Sequence, residues 1–360
     1  MAKKITMQHI ADHLGVSKYV ISKALSAQDG VSPATRERVL QAAKQLGYFT
    51  QKNAYLQKAK PTAEETPETE SRPKQSVLVL MPSIRFQTRE SSYWGKVLDG
   101  VSLALEQSGL GMVIVTETNA DRFLNVLNPQ GFLGLIGIGL ISASFLLEIH
   151  RIGLPMVLVD HEEPLIPCDT VFINNIDSVG RITDYLIGLG HRQLQFVGNI
   201  HFSRSFFDRW NGFRNVMEEN GLACPLVPEP IGMSNDVPVQ SREELKAWLQ
   251  RARMTDTLPT ALVCANDAIA INALEALREL QLRVPEDVSV TGFDNIDDAL
   301  VAEPPLTTIH VAKELLGKRA VEMLQWRLAH PDEPFEKRLL AGSLLARGTH
   351  AAARQREAAL

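Results

Sequence analysis

From Ser76 onward, short apolar runs of strand length alternate with longer stretches of helical period, and this alternation limits the possible folds more than any other feature of the chain. Residues 76–81, 111–116, 133–138, 156–160, 193–198, 260–265 and 288–293 read as strands. Residues 94–108, 178–189, 210–220, 242–252 and 268–280 present apolar faces at helical spacing. Strands that take turns with helices form parallel sheets, because the helices must cross over and cover both faces. The expected fold class is therefore α/β, with doubly wound parallel sheets, and the length available suffices for two lobes. A ligand then binds where strand C-termini converge, in the cleft between them.

The first sixty residues differ in character. They hold eight lysines and two arginines against Asp12, Asp29 and Glu37, a surplus of seven positive charges. The whole chain carries a net charge of -5, so the remaining 300 residues bear twelve negative charges. A basic head on an acidic body points to a polyanion as the partner of the head. Thr6 is placed to cap a helix with Met7, Ile10, Ala11 and Leu14 on one face, ending at Gly15. Ser17 caps a second helix running to about Leu25, which leaves a turn of helix-turn-helix length. Ser32, followed by Pro33, starts a third helix that includes Val39, Leu40 and Ala43 and stops at Gly47.

On the second helix, Lys18, Tyr19, Ser22 and Lys23 cluster on one side, while Val20, Ile21, Ala24 and Leu25 lie on the other. A helix laid in the major groove needs such polar side chains for base edges and cations or hydroxyls for phosphates. Lys18, Tyr19 and Lys23 suit the first task. Ser22 and Thr35 suit the second, with Thr6, Ser17 and Ser32 as further DNA contacts that read equally as plain helix caps. Three-helix modules also dock on proteins, and the pattern alone leaves that alternative open.

Residues 5–17 (ITMQHIADHLGVS), residues 31–39 (VSPATRERV) and Leu46-Gly47-Tyr48 together resemble the headpiece of the lactose/galactose repressor family of bacterial transcription regulators. The resemblance implies that Lys18, Tyr19 and Lys23 occupy base-reading positions. It also implies a following hinge helix that wedges a leucine into the minor groove as part of a dimer. Thr50-Gln51 departs from the family's Pro-Asn start, and Ala54-Tyr55-Leu56 matches the hinge loosely; the wedge is Leu56 or Tyr55, or there is none. Six stretches of the body are similar as well: Asn175-Ile176-Asp177 with Gly180, Gly190-His191-Arg192, Arg209-Trp210-Asn211-Gly212-Phe213, Cys264-Ala265-Asn266-Asp267, Thr291-Gly292-Phe293-Asp294 and Pro304-Pro305-Leu306-Thr307-Thr308-Ile309.

By that resemblance the body is like a periplasmic sugar-binding protein, with chain crossings near Asn174, Ile309 and Leu340. Residues 1–60 form the headpiece with its possible hinge. Residues 61–75, with three prolines, four glutamates and no large apolar side chain, form an acidic linker. It reads as a passive tether, or as an acidic segment that competes with DNA for the head. Residues 76–348 form the effector-binding and dimerisation core, with an N-lobe of about 76–173 and 310–340 and a C-lobe of about 174–309 and 341–348. Residues 349–360 are a tail.

Asp160, Asn266 and Asp294 at strand ends, with Arg209 entering a helix, match the family's effector-binding positions. Carboxylates accept from sugar hydroxyls and a forked guanidinium donates to them, so the set suits a polyol. Asp160 and Asp294 read alternatively as caps or local ion-pair members, and Asp267 as the cap of the following helix. Ser83 and Trp94 follow the first strand and reach the same region, Trp94 reading also as core; His191 reads as structural.

Other classes are excluded. The longest apolar stretch, residues 131–147, is interrupted five times and is too short for a membrane span, and the N-terminus lacks a secretory signal, so a cytoplasmic location is expected. Cys168, Cys224 and Cys264 lie far apart and form neither a disulfide framework nor a metal site. The segment Gly137-Ile138-Gly139-Leu140-Ile141-Ser142 lacks the third glycine of a dinucleotide loop, so neither an enzyme nor a cofactor is expected. A basic head without a secretory signal also argues against a transport binding protein. The expectation is a homodimeric repressor that reads a pseudo-palindromic operator in double-stranded DNA under control of a small molecule, a sugar or sugar derivative. The tail lacks the apolar heptads that would build a tetramer.

Overall fold

The computed structural model describes residues 7–25, 32, 35, 38, 39, 42, 75–81, 93–116, 131–222 and 238–354. The chain divides into two compact units, Met1–Ser71 and Arg72–Leu360. In the first unit, α1 (Met7–Leu14) ends where Gly15 takes φ +65° and Val16 N donates back to Ala11 O at 3.1 Å. The Ser17 hydroxyl then accepts the Val20 N–H at 3.3 Å, and α2 (Lys18–Leu25) begins. Thr35, Arg38, Val39 and Ala42 are helical, with the Thr35 N–H donating to Ser32 Oγ at 3.2 Å. Ile10, Ala11, Ile21, Val39 and Ala42 form one small core, so the short turn and shared apolar faces expected of a helix-turn-helix are present.

The second unit holds two sheets. The first is built from β1 (Ser76–Leu80), β2 (Gly111–Val115), β3 (Phe132–Ile138), β4 (Met156–Val159), β5 (Asp169–Ile173) and β10 (Lys337–Leu340), in the order β10-β5-β4-β3-β1-β2. All its pairings are parallel. The second contains β6 (Leu194–Val197), β7 (Ala261–Cys264), β8 (Ser289–Asp294), β9 (Thr307–His310) and β11 (Ser343–Leu345), in the order β11-β9-β8-β7-β6. Among the described residues of this sheet, only the β11–β9 pairing is antiparallel. The helices are α3 (Trp94–Gln107), α4 (Ala143–His150), α5 (Asn175–Gly188), α6 (Arg204–Glu219), α7 (Pro238–Met254), α8 (Asp267–Glu279), α9 (Asp297–Val301) and α10 (Lys313–Ala329).

Period-two alternation explains the layering. In β1, Val77 and Val79 face one apolar cluster with Val97 and Val101 of α3 and Val321 and Leu324 of α10. Leu78 and Leu80 face the opposite cluster with Phe145, Leu146 and Ile149 of α4. Both faces are thus buried, as a parallel sheet requires. Helices α3 and α10 approach backbone to backbone: a Cβ at Gly100 would lie 2.0 Å from the Glu314 carbonyl oxygen, and one at Gly317 would lie 2.1 Å from that of Val97. Only glycine fits at either position.

The chain passes from the first sheet to the second after β5, returns between β9 and α10, and leaves again between β10 and β11. The first and third crossings lie side by side, with Asn174 N donating to Leu340 O at 2.8 Å and Arg181 Nη1 donating to Gly342 O at 2.9 Å. Two helix starts differ from the sequence reading. Asn174 accepts the Asp177 N–H and so starts α5 at Asn175 rather than near 178. Ser203 accepts the Phe206 N–H and starts α6 at Arg204, which puts Arg209 in the second turn instead of at the helix entrance. The strand and helix reading also left out β5, β9, β10, β11, α4, α9 and α10.

One buried ion pair fastens β10 to its neighbour. Arg327 Nε and Nη2 donate to the two Asp169 carboxylate oxygens at 2.8 and 3.0 Å, and Asp169 also accepts the Glu336 N–H at 2.8 Å. Arg327 further donates to the carbonyls of His330 and Pro334 in the loop that leads to β10. Asp169→Ala leaves this guanidinium buried without its carboxylate and is expected to cost about 3–5 kcal/mol in chemical denaturation.

Candidate functional site

The loops after β4, β6, β7 and β8 face one another between the two sheets of the second unit. Asp160, directly after β4, takes φ +54°, and Asp294 and Asn295 at the end of β8 take φ +109° and +52°. These left-handed conformations are costly for side chains with a Cβ and are typical of sites where a side chain must be aimed. Asp160 comes from the first lobe, and its carboxylate accepts the hydroxyl of Ser205 in the first turn of α6, in the second lobe. Asn175, at the start of α5, donates from Nδ2 to Ser205 Oγ at 3.1 Å and accepts Arg209 Nε at 2.9 Å. Arg209 donates from Nη1 to Ala265 O at 2.7 Å and from Nη2 to Asp294 Oδ1 at 3.5 Å. Its guanidinium carbon stands 3.7 Å from the centre of the Phe293 ring. A continuous polar chain therefore runs Asp160, Ser205, Asn175, Arg209, Asp294 across the cleft.

Burial governs the ionisation of this group. Desolvation raises the Asp160 carboxyl above its ordinary range, and the Arg209 charge and Ser205 hydrogen bond oppose the rise. Asp294 is pushed up to about 6 by burial, with Arg209 and Lys313 opposing. Asp267, fully buried, is pushed to about 7 by burial and then by the Asp294 charge. Lys313, only 2% exposed, reaches from the first lobe to donate to Asp294 O at 2.5 Å and Asn295 O at 3.0 Å. Desolvation pulls its ammonium below the usual lysine range. Tyr93 buries a hydroxyl that has no hydrogen-bond partner among the described residues. Burial, followed by the charges of Asp160 and Asp294, raises that phenol well above its ordinary range.

The structure thus brings Asp160, Arg209 and Asp294 together. Asn266 is the cap of α8, its Oδ1 accepting the Ile269 N–H at 3.0 Å. This corrects the expectation for Asp267, which instead accepts Thr308 Oγ1 at 2.5 Å and Ile296 N–H at 2.9 Å. Ser83 lies outside the described residues, and Trp94 is half-buried against the core. His191 is buried between Thr260 Oγ1 and Ala351 O, a structural pair of bonds. Burial pushes the Cys168 thiol up to about 12 and raises Cys264 further, so neither is poised to ionise. Sequence reasoning missed Ser205, Asn175, Lys313 and Tyr93. Ser205 sits four residues before Arg209, one helical turn away, and that spacing was the available signal for it.

In the first unit, Ser17 and Ser32 are both helix caps, Lys18 is exposed and Lys23 is half-buried. Thr35 shares a 2.8 Å hydroxyl contact with Ser32. Thr6, Tyr55 and Leu56 lie outside the described residues, as do the side chains of Tyr19 and Ser22. No described helix is long and apolar enough to cross a membrane.

Comparison with known proteins agrees with this layout. Residues 6–51 match the family described as bacterial regulatory proteins, lacI family, and residues 183–350 match the periplasmic binding protein-like domain. The HTH-type transcriptional repressor PurR of Histophilus somni (strain 2336) is 27% identical over 337 residues, covering 92% of this chain and 94% of that protein. Among solved structures, a transcriptional regulator CelR-cellobiose complex superposes with a TM-score of 0.68 at 24% identity, covering 96% of this chain and 99% of the other. The lac repressor dimer bound to operator and the anti-inducer ONPF gives a TM-score of 0.63 at 22% identity, covering 97% and 100%.

The raised carboxyls of Asp267 and Asp294 make the folded state hold more protons than the unfolded chain between about pH 4 and 7. Their contribution to stability is complete below the unfolded value and is lost as pH rises through about 6 and about 7. Denaturant titration of the ligand-free protein from pH 5 to 8 should give an unfolding free energy whose slope against pH is more negative in the wild type than in Asp267→Asn; burial lowers the imidazolium range of His161, His191, His310 and His350, which act in the opposite sense in both proteins. The slope attributable to each group is at most about 1.4 kcal/mol per pH unit, and Asp267→Asn should flatten it.

Proposed function

From its membership of the lacI family of bacterial regulatory proteins, we propose that this chain acts in the cytoplasm as a homodimeric transcription repressor controlled by a sugar or sugar derivative held between its two lobes. The observation that carries the effector part is the polar chain from Asp160 through Ser205, Asn175 and Arg209 to Asp294. Of the five N–H hydrogens of Arg209, three have acceptors among the described residues, and the other two can donate to ligand hydroxyls. Asp160 and Asp294 accept from neighbouring hydroxyls, and the Asn266 amide group is free to donate because only its oxygen serves the cap. The unpartnered Tyr93 hydroxyl supplies one more polar contact, and Ser83 completes the set. Paired carboxyls beside one forked cation suit an uncharged polyol. CelR, which shares the fold, was solved with a molecule of this class, cellobiose.

In the headpiece, Lys18, Tyr19 and Lys23 read base edges of a pseudo-palindromic operator, with one headpiece per half-site. Ser22, Thr35 and Thr6 hold phosphates. The caps Ser17 and Ser32 use their oxygens within the helices; Ser17 still offers its hydroxyl hydrogen to phosphate, and the bonded Ser32–Thr35 pair keeps one hydroxyl hydrogen for it. Tyr55 or Leu56 is the minor-groove wedge. Ligand and operator are coupled through lobe closure, at the ~1–3 kcal/mol usual for such linkage.

Two variants test the two halves separately. In a thermal-shift screen against sugars, sugar phosphates and nucleobases, a sugar should stabilise the wild type, and Arg209→Ala should abolish that shift and the change in DNA affinity while leaving ligand-free DNA binding intact. An undiminished response in Arg209→Ala would remove it from the cleft assignment. Titrated by fluorescence anisotropy against duplexes from its genomic neighbourhood, Lys23→Ala should lose about 1–3 kcal/mol of discrimination between operator and mismatched duplex with effector affinity unchanged. Equal discrimination by the variant and wild type would take Lys23 off the reading face.

A further inference from the structure

Lys96, in the first turn of α3 in the first lobe, donates from Nζ to Oδ1 of Asp297, the first residue of α9 in the second lobe, at 2.6 Å. The two side chains are 34% and 72% exposed, so the pair stands at the surface. Both positions are tied to the cleft through the backbone: Lys96 comes three residues after Tyr93, and Asp297 three after Asp294. Tyr93 is the N-cap residue of α3, and the strained turn at Asp294 and Asn295 leads into α9. The placement of Lys96 is unfavourable for its own helix. A first turn carries the positive end of the helix dipole, which favours a carboxylate over an ammonium, and α3 has no acidic residue there. Asp297 suits the start of α9, and the Lys96 ammonium holds its carboxyl below the usual carboxylate range.

A second ion pair joins the lobes in a different way. Arg204 Nη1 lies 3.4 Å from Glu162 Oε2, but Arg204 donates more closely to Asp208 of its own helix, at 2.8 Å, and Glu162 accepts Lys337 of its own lobe at 2.7 Å. Both of those groups are satisfied without the opposite lobe. Lys96 and Asp297 have no ion-pair partner but each other among the described residues.

We propose that the Lys96–Asp297 pair is a rim clasp: by joining α3 to α9 it positions Tyr93 and Asp294 at their binding separation and biases the lobes toward closure before a ligand arrives. The positioning role rests on the reading of those two residues as ligand contacts. An exposed ion pair changes a folding equilibrium by at most about fivefold. Open and closed states of a hinged body lie much closer in free energy than folded and unfolded ones, so the same factor moves their populations visibly. A ligand that binds only the closed form then gains apparent affinity in proportion to the closed fraction.

Hydrogen–deuterium exchange of the full chain, followed by mass spectrometry without ligand or DNA, tests the clasp. Lys96→Glu sets two carboxylates against each other, and the cleft-facing peptides 160–166 and 199–208, which contain neither residue, should exchange at least threefold faster. The same substitution places a favourable charge at the start of α3, so a role confined to that helix predicts slower exchange in 94–107 and no change in the other peptides. Reversing the pair, Lys96→Glu with Asp297→Lys, should bring the cleft-facing peptides back to within twofold of wild type. In ~1 M sodium chloride, where the screening length is ~3 Å, the difference between wild type and Lys96→Glu should shrink below twofold. Unchanged exchange of the cleft-facing peptides in Lys96→Glu, no recovery in the reversed pair, or a difference that persists in salt would each overturn the clasp. The measurement needs no ligand, so its failure leaves the sugar reading of the cleft standing, and failure of the sugar screen leaves the effect of the pair on closure standing.

Discussion

A guanidinium cannot shed its charge, and Arg209 is 97% shielded from solvent within the second lobe. The geometry around it is a response to that fact. Three separate segments must deliver acceptors to one planar group: the start of α5 through Asn175, the end of β7 through the Ala265 carbonyl, and the end of β8 through Asp294. Phe293 gives the guanidinium a flat surface to lie on. The left-handed turn at Asp294 and Asn295 is the strained backbone that presents this carboxylate, and Lys313 secures it by binding both carbonyls. A chain that misplaced any of these segments would strand a charge in low dielectric, so the cleft wall and the fold of the second lobe are specified together.

The readable parts of the chain were those whose burial is uniform. Runs such as Val77-Leu78-Val79-Leu80 and Ala261-Leu262-Val263-Cys264 are buried on both faces, so they announce themselves as parallel strands without further context. Helix α10 was not legible for the opposite reason. It buries Lys313 near one end and Arg327 near the other, and these charges blur the apolar stripe of Leu316, Ala320, Val321 and Leu324 that packs on the first sheet. Strand β10, Lys337–Leu340, begins with two cations and lies at a sheet edge, where pairing with β5 rather than hydrophobicity defines it. Tertiary partners decide such elements, and those partners are 158 residues away in the case of Arg327 and Asp169.

The cleft was legible in its residue types and less so in their roles. Asp160, Arg209 and Asp294 were identifiable because they match the effector-binding positions of the family that the chain resembles and their donor and acceptor groups suit a polyol. The small polar groups between them were not, since a serine or asparagine at a helix start reads first as a cap. Asn266 is such a cap, whereas Asn175 and Ser205, at comparable positions, turn their side chains to one another and to the charged residues. Only the packing of α5 against α6 distinguishes the two outcomes. That packing requires Gly212, where a Cβ would meet the Ile176 carbonyl oxygen at 2.2 Å.

The chain passes three times between its two sheets, and the first and third passes are hydrogen-bonded neighbours. Parallel straps mounted together resist sliding and shear but bend readily about the line that joins them. The first half is stiff inside because α3 and α10 touch through backbone at Gly100 and Gly317, and in the second α5 and α6 meet as closely at Gly212. The softest coordinate of the body is consequently a single angular one, like the opening of a book. The polar chain of the cleft begins beside that line, because Asn175 directly follows the first crossing and Lys313, which holds the Asp294 and Asn295 carbonyls, follows the second.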